Sequence, residues 1–366
     1  MRWRVATAAG ILAVLMAAAL PLVSAGPTQE QPKNAAPWRF AVSGDSRNCG
    51  DVVMPAIAAG ALTQQAAFYW HLGDFRKSSD FDEDMQHEPE HIAKPMSIAQ
   101  YETTEWNDFI ENQIAPFGAL PVFLGIGNHE LVPPHTRDMY IEQFADWLDK
   151  PAVRDQRLKD ADHVLKSYYH WVRDGIDFIT LDNASLDQFD AAQVKWVESV
   201  LQRDEADPTI RTIVAGMHRA LPDSISAGHS MNESAQGTDS GRQVYKDLLA
   251  ARDQGHKRVY VLASHSHYYM ADIFETAYWK QNGVLPGWIV GTAGAQRYPL
   301  PPNWKDAQAA ETNVYGFLTG AVQSNGEIQF EFHRLEEKDI PPAVVSRFTP
   351  EFVHWCFAEN SSLKGE

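Results

Sequence analysis

The chain has 366 residues, 44% hydrophobic and 22% charged. That composition excludes disordered, collagen-like and low-complexity proteins. With 31 Lys and Arg against 48 Asp and Glu, the net charge is −17. Such a surface disfavours long nucleic acid as a partner, because phosphates need cationic groups to neutralise them, but it leaves room for a local cationic or metal-bearing pocket.

At the N-terminus, Arg2 and Arg4 precede an apolar run over 5–22 and a small-residue stretch, Val23-Ser24-Ala25. Charged start, apolar middle and small-residue end predict a signal peptide over 1–25, and hence a periplasmic or secreted protein with no membrane segment after cleavage. The other reading is an uncleaved anchor; Gly10 and Pro21 interrupt it. Residues 26–37 are polar and Pro-containing and read as a flexible lead-in.

From 38 onward, short apolar runs at 40–43, 68–72, 122–126, 168–172, 177–181, 211–215 and 258–263 predict strands. Helical patterns fall at 52–62, 98–112, 191–203 and 243–252, the third with Val194, Val197, Val200 and Leu201 on one stripe. Alternation of this kind is α/β. Further strands near 288–290, 316–322 and 328–332 cluster without long helices, which predicts mixed sheets. The organisation expected is one domain over 38–335 and an extension over 336–366. Residues 78–97 form an acidic insertion or rim loop, and 227–240 a Gly/Ser/Asn-rich loop. The late aromatics Phe352, Trp355 and Phe357 are expected to pack back on the body. Two cysteines, Cys49 and Cys356, allow a disulfide or two separate buried thiols, and both readings stay open.

Five apolar runs end alike. They finish in Asp45, in Asp74, in Asn128-His129-Glu130, in His218, and in His265-Ser266-His267. Carboxyl ends of strands in α/β sheets are where ligands bind. One such ending is usually a turn or cap residue. Five endings in oxygen and imidazole types point to a metal centre, and carboxylate, carboxamide and imidazole together suit Mn, Fe or Zn.

The elements Gly44-Asp45, Gly73-Asp74, Gly127-Asn128-His129-Glu130, His218 and His265-Ser266-His267 resemble, in order, the motifs of the calcineurin-like metallophosphoesterase superfamily. The resemblance implies a four-layer α/β/β/α sandwich of two mixed β-sheets flanked by helices. It implies a phosphoester hydrolase with a small phosphoester substrate and two metal ions. Asp45 and His267 would hold metal one, Asp74 would bridge, and Asn128, His218 and His265 would hold metal two. A water acidified between the metals would attack phosphorus, with His129 as phosphate ligand or general acid.

Three positions depart from the family pattern. Where the family carries His or Gly, two residues after the first Asp, this chain has Arg47. Arginine has no lone pair for a metal, so it leaves metal one a ligand short or holds substrate phosphate through its donor fork. Lys77 stands where purple acid phosphatases have a Tyr ligand, and Ser264 replaces a Gly. Arg47 also feeds the alternative of a degenerate, non-catalytic relative that binds phosphoryl ligands. A third reading is a zinc peptidase through His87-Glu88-Pro89-Glu90-His91, which needs both imidazoles on one helical face, and Pro89 opposes that. His229, Tyr268 and Tyr269 are candidates for the site's border.

Overall fold

The computed structural model describes residues 36–185 and 188–363. The segment over 1–25 that the sequence pattern predicts as a signal peptide, and all but the end of the predicted lead-in, lie outside the described residues. Among the described residues, twelve strands form two mixed sheets: β1 (Trp38–Ser43), β2 (Ala66–His71), β3 (Val122–Leu124), β4 (Tyr169–Arg173), β5 (Ile176–Thr180), β6 (Thr212–Gly216), β7 (Arg258–Ala263), β8 (Tyr269–Ala271), β9 (Gly287–Val290), β10 (Ala309–Glu311), β11 (Tyr315–Val322) and β12 (Ile328–Leu335). The first sheet runs β12-β11-β1-β2-β3, and the second runs β10-β8-β9-β7-β6-β5-β4. In the first sheet β1, β2 and β3 are parallel up to the edge and β11 and β12 pair antiparallel on the other side; in the second β5, β6, β7 and β9 are parallel and the pairings at both ends antiparallel.

An aromatic layer joins the sheets. Side chains alternate along a strand, so Phe68 and Trp70 of β2 face the second sheet while Tyr69 and His71 face away from it. Phe40 and Phe68 meet Phe178 edge-on at 5.2 and 5.1 Å between ring centroids, and Phe123 stacks on Trp171 at 4.0 Å. At the other end Trp288 meets Phe330 and Tyr269 stacks on Phe332. The outer face of the second sheet is covered by helices Ala191–Ala206 and Ala235–Asp253. They bury Val197, Val200, Leu201, Val244 and Leu248 against Ile213, Ala215, Val259 and Val261. Helix Gly50–Thr63 buries Val52, Val53 and Ile57 in the core that contains the first sheet.

Some elements escaped the sequence pattern. Helices Arg137–Gln143, Ala145–Leu148 and Pro151–Lys159 are short, and each buries a single side chain, Tyr140, Leu148 and Val153 in turn. Helix Ala235–Asp253 starts inside the stretch read as a Gly/Ser/Asn-rich loop. Ser234 accepts from the Gly237 N–H there, and a capped start offsets the weak propensity of Gly237 and Gly241. Tyr268 and Tyr269 do not border the site. The Tyr268 hydroxyl is buried on Ser226 at 2.6 Å, and Tyr269 lies in β8.

Residues 78–97 hold two short helices, Glu83–Gln86 and Pro89–Ala93, and several of their acids point inward. Asp82 accepts from the Asn48 N–H at 2.5 Å and the Tyr101 hydroxyl at 2.6 Å, and Asp84 accepts from the Asp51 N–H at 2.8 Å. The fully buried Arg76 guanidinium pairs with Asp51, Asp84 and Asp108. These acids therefore serve as acceptors for a buried cation and for N–H groups around the start of helix Gly50–Thr63, which is how buried charges are tolerated. Packed against this segment is the C-terminal tail, where Phe352 stacks on His87 at 4.0 Å and Arg347 pairs with Glu88. Cys49 and Cys356 are bonded, their Cα atoms 6.0 Å apart across a separation of 307 residues.

The closed loop is nearly the whole domain, so the cross-link removes much chain entropy from the unfolded state. Cys356→Ser is expected to cost about 2–5 kcal/mol in urea unfolding under oxidising conditions; an unchanged midpoint would contradict the cross-link. A second prediction concerns His170, which bonds Asp177 at 2.7 Å and Asp160 at 2.5 Å. Burial alone would discharge His170, but the two carboxylates outweigh it and push the imidazole up to about 10. An unfolded His titrates near 6.5, so the folded state holds the extra proton. The contribution is complete below pH of about 6.5 and is lost as pH climbs to about 10. Urea midpoints should fall across that window, and His170→Gln should flatten the slope.

Candidate metal centre

The registers bring the strand ends to one seam. Ser43 pairs with His71 and His71 with Leu124, so β1, β2 and β3 finish level and deliver Asp45, Asp74 and Asn128 together. In the second sheet Gly216 pairs with Leu262 and Ala263 with Ile289, which delivers His218 and His265-Ser266-His267 to the same place. Bonds cross the seam: the Gly44 N–H to the Val290 carbonyl at 3.0 Å, and the Ser264 hydroxyl to the Leu72 carbonyl at 3.1 Å.

Three of the gathered residues adopt left-handed backbone, Asp45 at φ 61°, Asp74 at φ 60° and His265 at φ 64°. Non-glycine residues rarely do so, and such strain collects at functional sites. The conformation turns each side chain back over the strand ends. Gly127 makes room for this, since a Cβ there would run into the Asp74 carboxylate. Glu130 clamps the result. Its carboxylate accepts from the N–H groups of Asp74 at 2.9 Å, Phe75 at 2.7 Å and Gly127 at 2.7 Å. Glu130 therefore ties the β2 and β3 ends together rather than facing the centre.

All six predicted ligands meet, in two groups. In the first, His218 Nε2 lies 3.1 Å from Asn128 Oδ1, 3.0 Å from His265 Nδ1 and 3.3 Å from Asp74 Oδ1. His218 Nδ1 contacts the Leu72 carbonyl at 3.1 Å, so Nδ1 carries the proton and Nε2 is left for the cage. Four atoms with lone pairs thus converge. Burial opposes charge on His218, but Asp74 draws a proton onto it and raises its affinity; a dication in the same place would take over that proton's role. His265 is held well below its ordinary value by burial and by His218, which keeps the imidazole neutral. This group fits a divalent metal by its donor set.

The second group differs. His267 donates Nδ1–H to the Gln296 carbonyl at 2.6 Å, and its Nε2 lies 3.3 Å from Asp45 Oδ1. The lone pair of Nε2 is already engaged, because Arg47 Nη2 donates to it at 3.0 Å. Arg47 Nη1 bonds His129 Nε2, and Arg47 Nε stands 3.9 Å from Asp74 Oδ2. Asp45 Oδ1 and Asp74 Oδ2 are buried without hydrogen-bond partners, as carboxylate oxygens aimed at a cation would be. The cation beside them is a guanidinium, so the residues meant for metal one do not fit a metal as they stand.

His129 reaches the same space from its 3-10 turn. Its Nδ1–H bonds the Lys77 carbonyl, which aims Nε2 inward, 3.8 Å from Asp74 Oδ2. Burial lowers its proton affinity and Asp74 works the other way, leaving it below its ordinary value. Sequence reasoning missed Tyr298, whose ring stacks on His267 at 4.0 Å and which only the fold brings near. His229 borders the centre as anticipated, with its ring 5.8 Å from that of His265. The peptidase motif does not assemble: His87 precedes helix Pro89–Ala93, and each imidazole bonds a local carbonyl, His87 to Glu83 and His91 to Met85.

No protein-family model matches the sequence, and no curated protein matches it. Solved structures do match the fold. The purple acid phosphatase PPD1 of yellow lupin (Lupinus luteus) superposes with a TM-score of 0.54 at 16% identity, over 82% of this chain and 52% of that one. The protein thus spans about half the length of the lupin enzyme. A dimetal phosphatase from Danio rerio superposes with a TM-score of 0.48 at 11% identity, over 81% of this chain and 96% of that one. Two mixed sheets flanked by helices, with ligand-type residues at the parallel strand ends, are the fold that this chain shares with the lupin phosphatase.

Glu130→Gln places an amide N–H against a backbone N–H at the clamp. Metal affinity is expected to fall about 10–100-fold with Asp74 itself intact, measured by competition with a chromophoric chelator. Unchanged affinity would remove Glu130 from the support of the centre.

Proposed function

We propose that the protein is an exported phosphoester hydrolase that uses metal at the Asp74, Asn128, His218 and His265 cage on a small phosphoester substrate. The observation that carries the reading is the convergence of three lone-pair atoms on His218 Nε2 beside an inward-facing His129. Similarity of fold to a purple acid phosphatase supports it. A Mn, Fe or Zn ion bound there would polarise a phosphoryl oxygen and make a coordinated water more acidic.

The chain's own groups do the rest. Arg47 presents N–H groups beside the cage, where they neutralise and orient the non-bridging oxygens of a phosphoryl group. His129, oriented through Nδ1–H, turns Nε2 toward the leaving oxygen; once that nitrogen has exchanged its Arg47 contact for a proton taken from solvent, it passes that proton to the leaving oxygen. The Lys77 carbonyl keeps that ring from turning. Export is supported by the N-terminal pattern and by the disulfide, a bond kept in oxidising compartments. Among the described residues no helix is long and apolar enough to cross a membrane.

Purified protein loaded with Mn or Zn is expected to hydrolyse p-nitrophenyl phosphate or its diester. Asp74→Asn should lose metal and rate together. His129→Ala should lose about 10²–10⁴-fold in rate with metal content unchanged, and normal turnover by that variant would remove His129 from the chemistry. Full metal loading with no hydrolysis across a broad phosphoester panel would favour a phosphoryl-binding protein without turnover.

A further inference from the structure

We infer that Arg47 takes the place of one metal, so that the centre holds a single ion at Asp74, Asn128, His218 and His265 and uses the Arg47 guanidinium as its second cation. The inference deepens the hydrolase reading and rests on it only for the role toward substrate.

The backbone around Arg47 leaves its side chain little choice. Cys49, two residues on, is bonded to Cys356, and its N–H contacts the Gly294 carbonyl at 3.2 Å. Asn48 is fixed by its N–H on Asp82 at 2.5 Å and by its amide on Glu83 at 2.6 Å. On the other side Asp45 is held through its N–H to the Gly73 carbonyl at 3.0 Å. Pinned at both flanks, the side chain enters the centre with 11% of its surface exposed.

What it meets there is the donor set of a cation site. Nη2 caps the His267 Nε2 lone pair, Nη1 meets His129, and Nε faces an oxygen of Asp74 that nothing else satisfies. A metal on His267 would sit about 2.0–2.1 Å from Nε2, in the space of the Arg47 nitrogen now at 3.0 Å. A dication and a permanently protonated guanidinium at that distance repel strongly in a buried setting. Asp45 and Asp74, both fully buried, still require positive charge, and the guanidinium supplies it. In exchange for a Lewis acid the site gains directed N–H donors, which suit a phosphoryl oxygen.

The test counts metal and reads its magnetism. Full-length mature protein with its disulfide intact is stripped of metal, dialysed against Mn²⁺, and analysed by atomic emission and low-temperature EPR. The expected result is about one Mn per chain with an uncoupled spectrum. Arg47→His should take up a second equivalent and show the exchange-coupled pattern of two neighbouring ions. Should that variant not fold, Arg47→Gln is titrated with inorganic phosphate by calorimetry. It should bind phosphate at least tenfold more weakly than wild type while keeping its one Mn. Two exchange-coupled Mn ions in the wild type would overturn the inference while leaving the hydrolase reading intact. A wild type that binds one Mn but hydrolyses no phosphoester would do the reverse, and one that binds none would remove both. Phosphate affinity unchanged in Arg47→Gln would overturn the role given to the guanidinium.

Discussion

Two carboxylates, Asp45 and Asp74, lie fully buried where the sheets meet, and much of the local structure follows from the need to keep them charged there. A buried carboxylate without a cation is far too costly to persist. Burial pushes both toward neutrality, yet both are held below the usual carboxylate range. For Asp45 the balance is tipped by the His267 contact and by His218, and for Asp74 by His218, His129 and Arg47. These partners come from segments far apart in sequence. Their meeting is therefore the tertiary event on which the site stands.

The fold is arranged to make that meeting rigid. The aromatic layer fixes the distance between sheets, and bonds across the seam fix their relative position. Left-handed backbone at Asp45, Asp74 and His265 stores local strain, which the Glu130 clamp and the Leu72 carbonyl contacts hold in place. The disulfide and the inward acids of 78–97 extend the same support outward to the loop that carries Arg47. Support and chemistry are thus continuous. The acidic segment 78–97, which reads as an insertion or rim loop, is in part a set of acceptors for Arg76 and for the helix behind Arg47.

The two halves of the centre have different characters. Around His218 the Leu72 carbonyl fixes one tautomer, which leaves Nε2 facing Asn128 Oδ1 and His265 Nδ1, an arrangement that a metal satisfies. Around His267 the corresponding lone pair already has a donor. A shared fold does not guarantee a shared cofactor count, because one side chain entering the cage changes what the cage can accept.

The sequence by itself determined the α/β class and the set of ligand-type residues, while the two mixed sheets came from the resemblance those residues carry. Strand periodicity and the residue that ends each run are local properties, and local properties are legible in order. It also showed Arg47 as an intruder among metal ligands. Where that guanidinium goes was decided by tertiary structure, since a flexible side chain reads its position from His267 and His129, which lie 220 and 82 residues away. The same holds for the Cys49–Cys356 bond and for Glu130 as a clamp rather than a ligand. The inward turn of Tyr268 and the start of helix Ala235–Asp253 within a Gly-rich stretch belong with them. Each depends on which partner a group finds across space, and spacing along the chain carries no record of that distance.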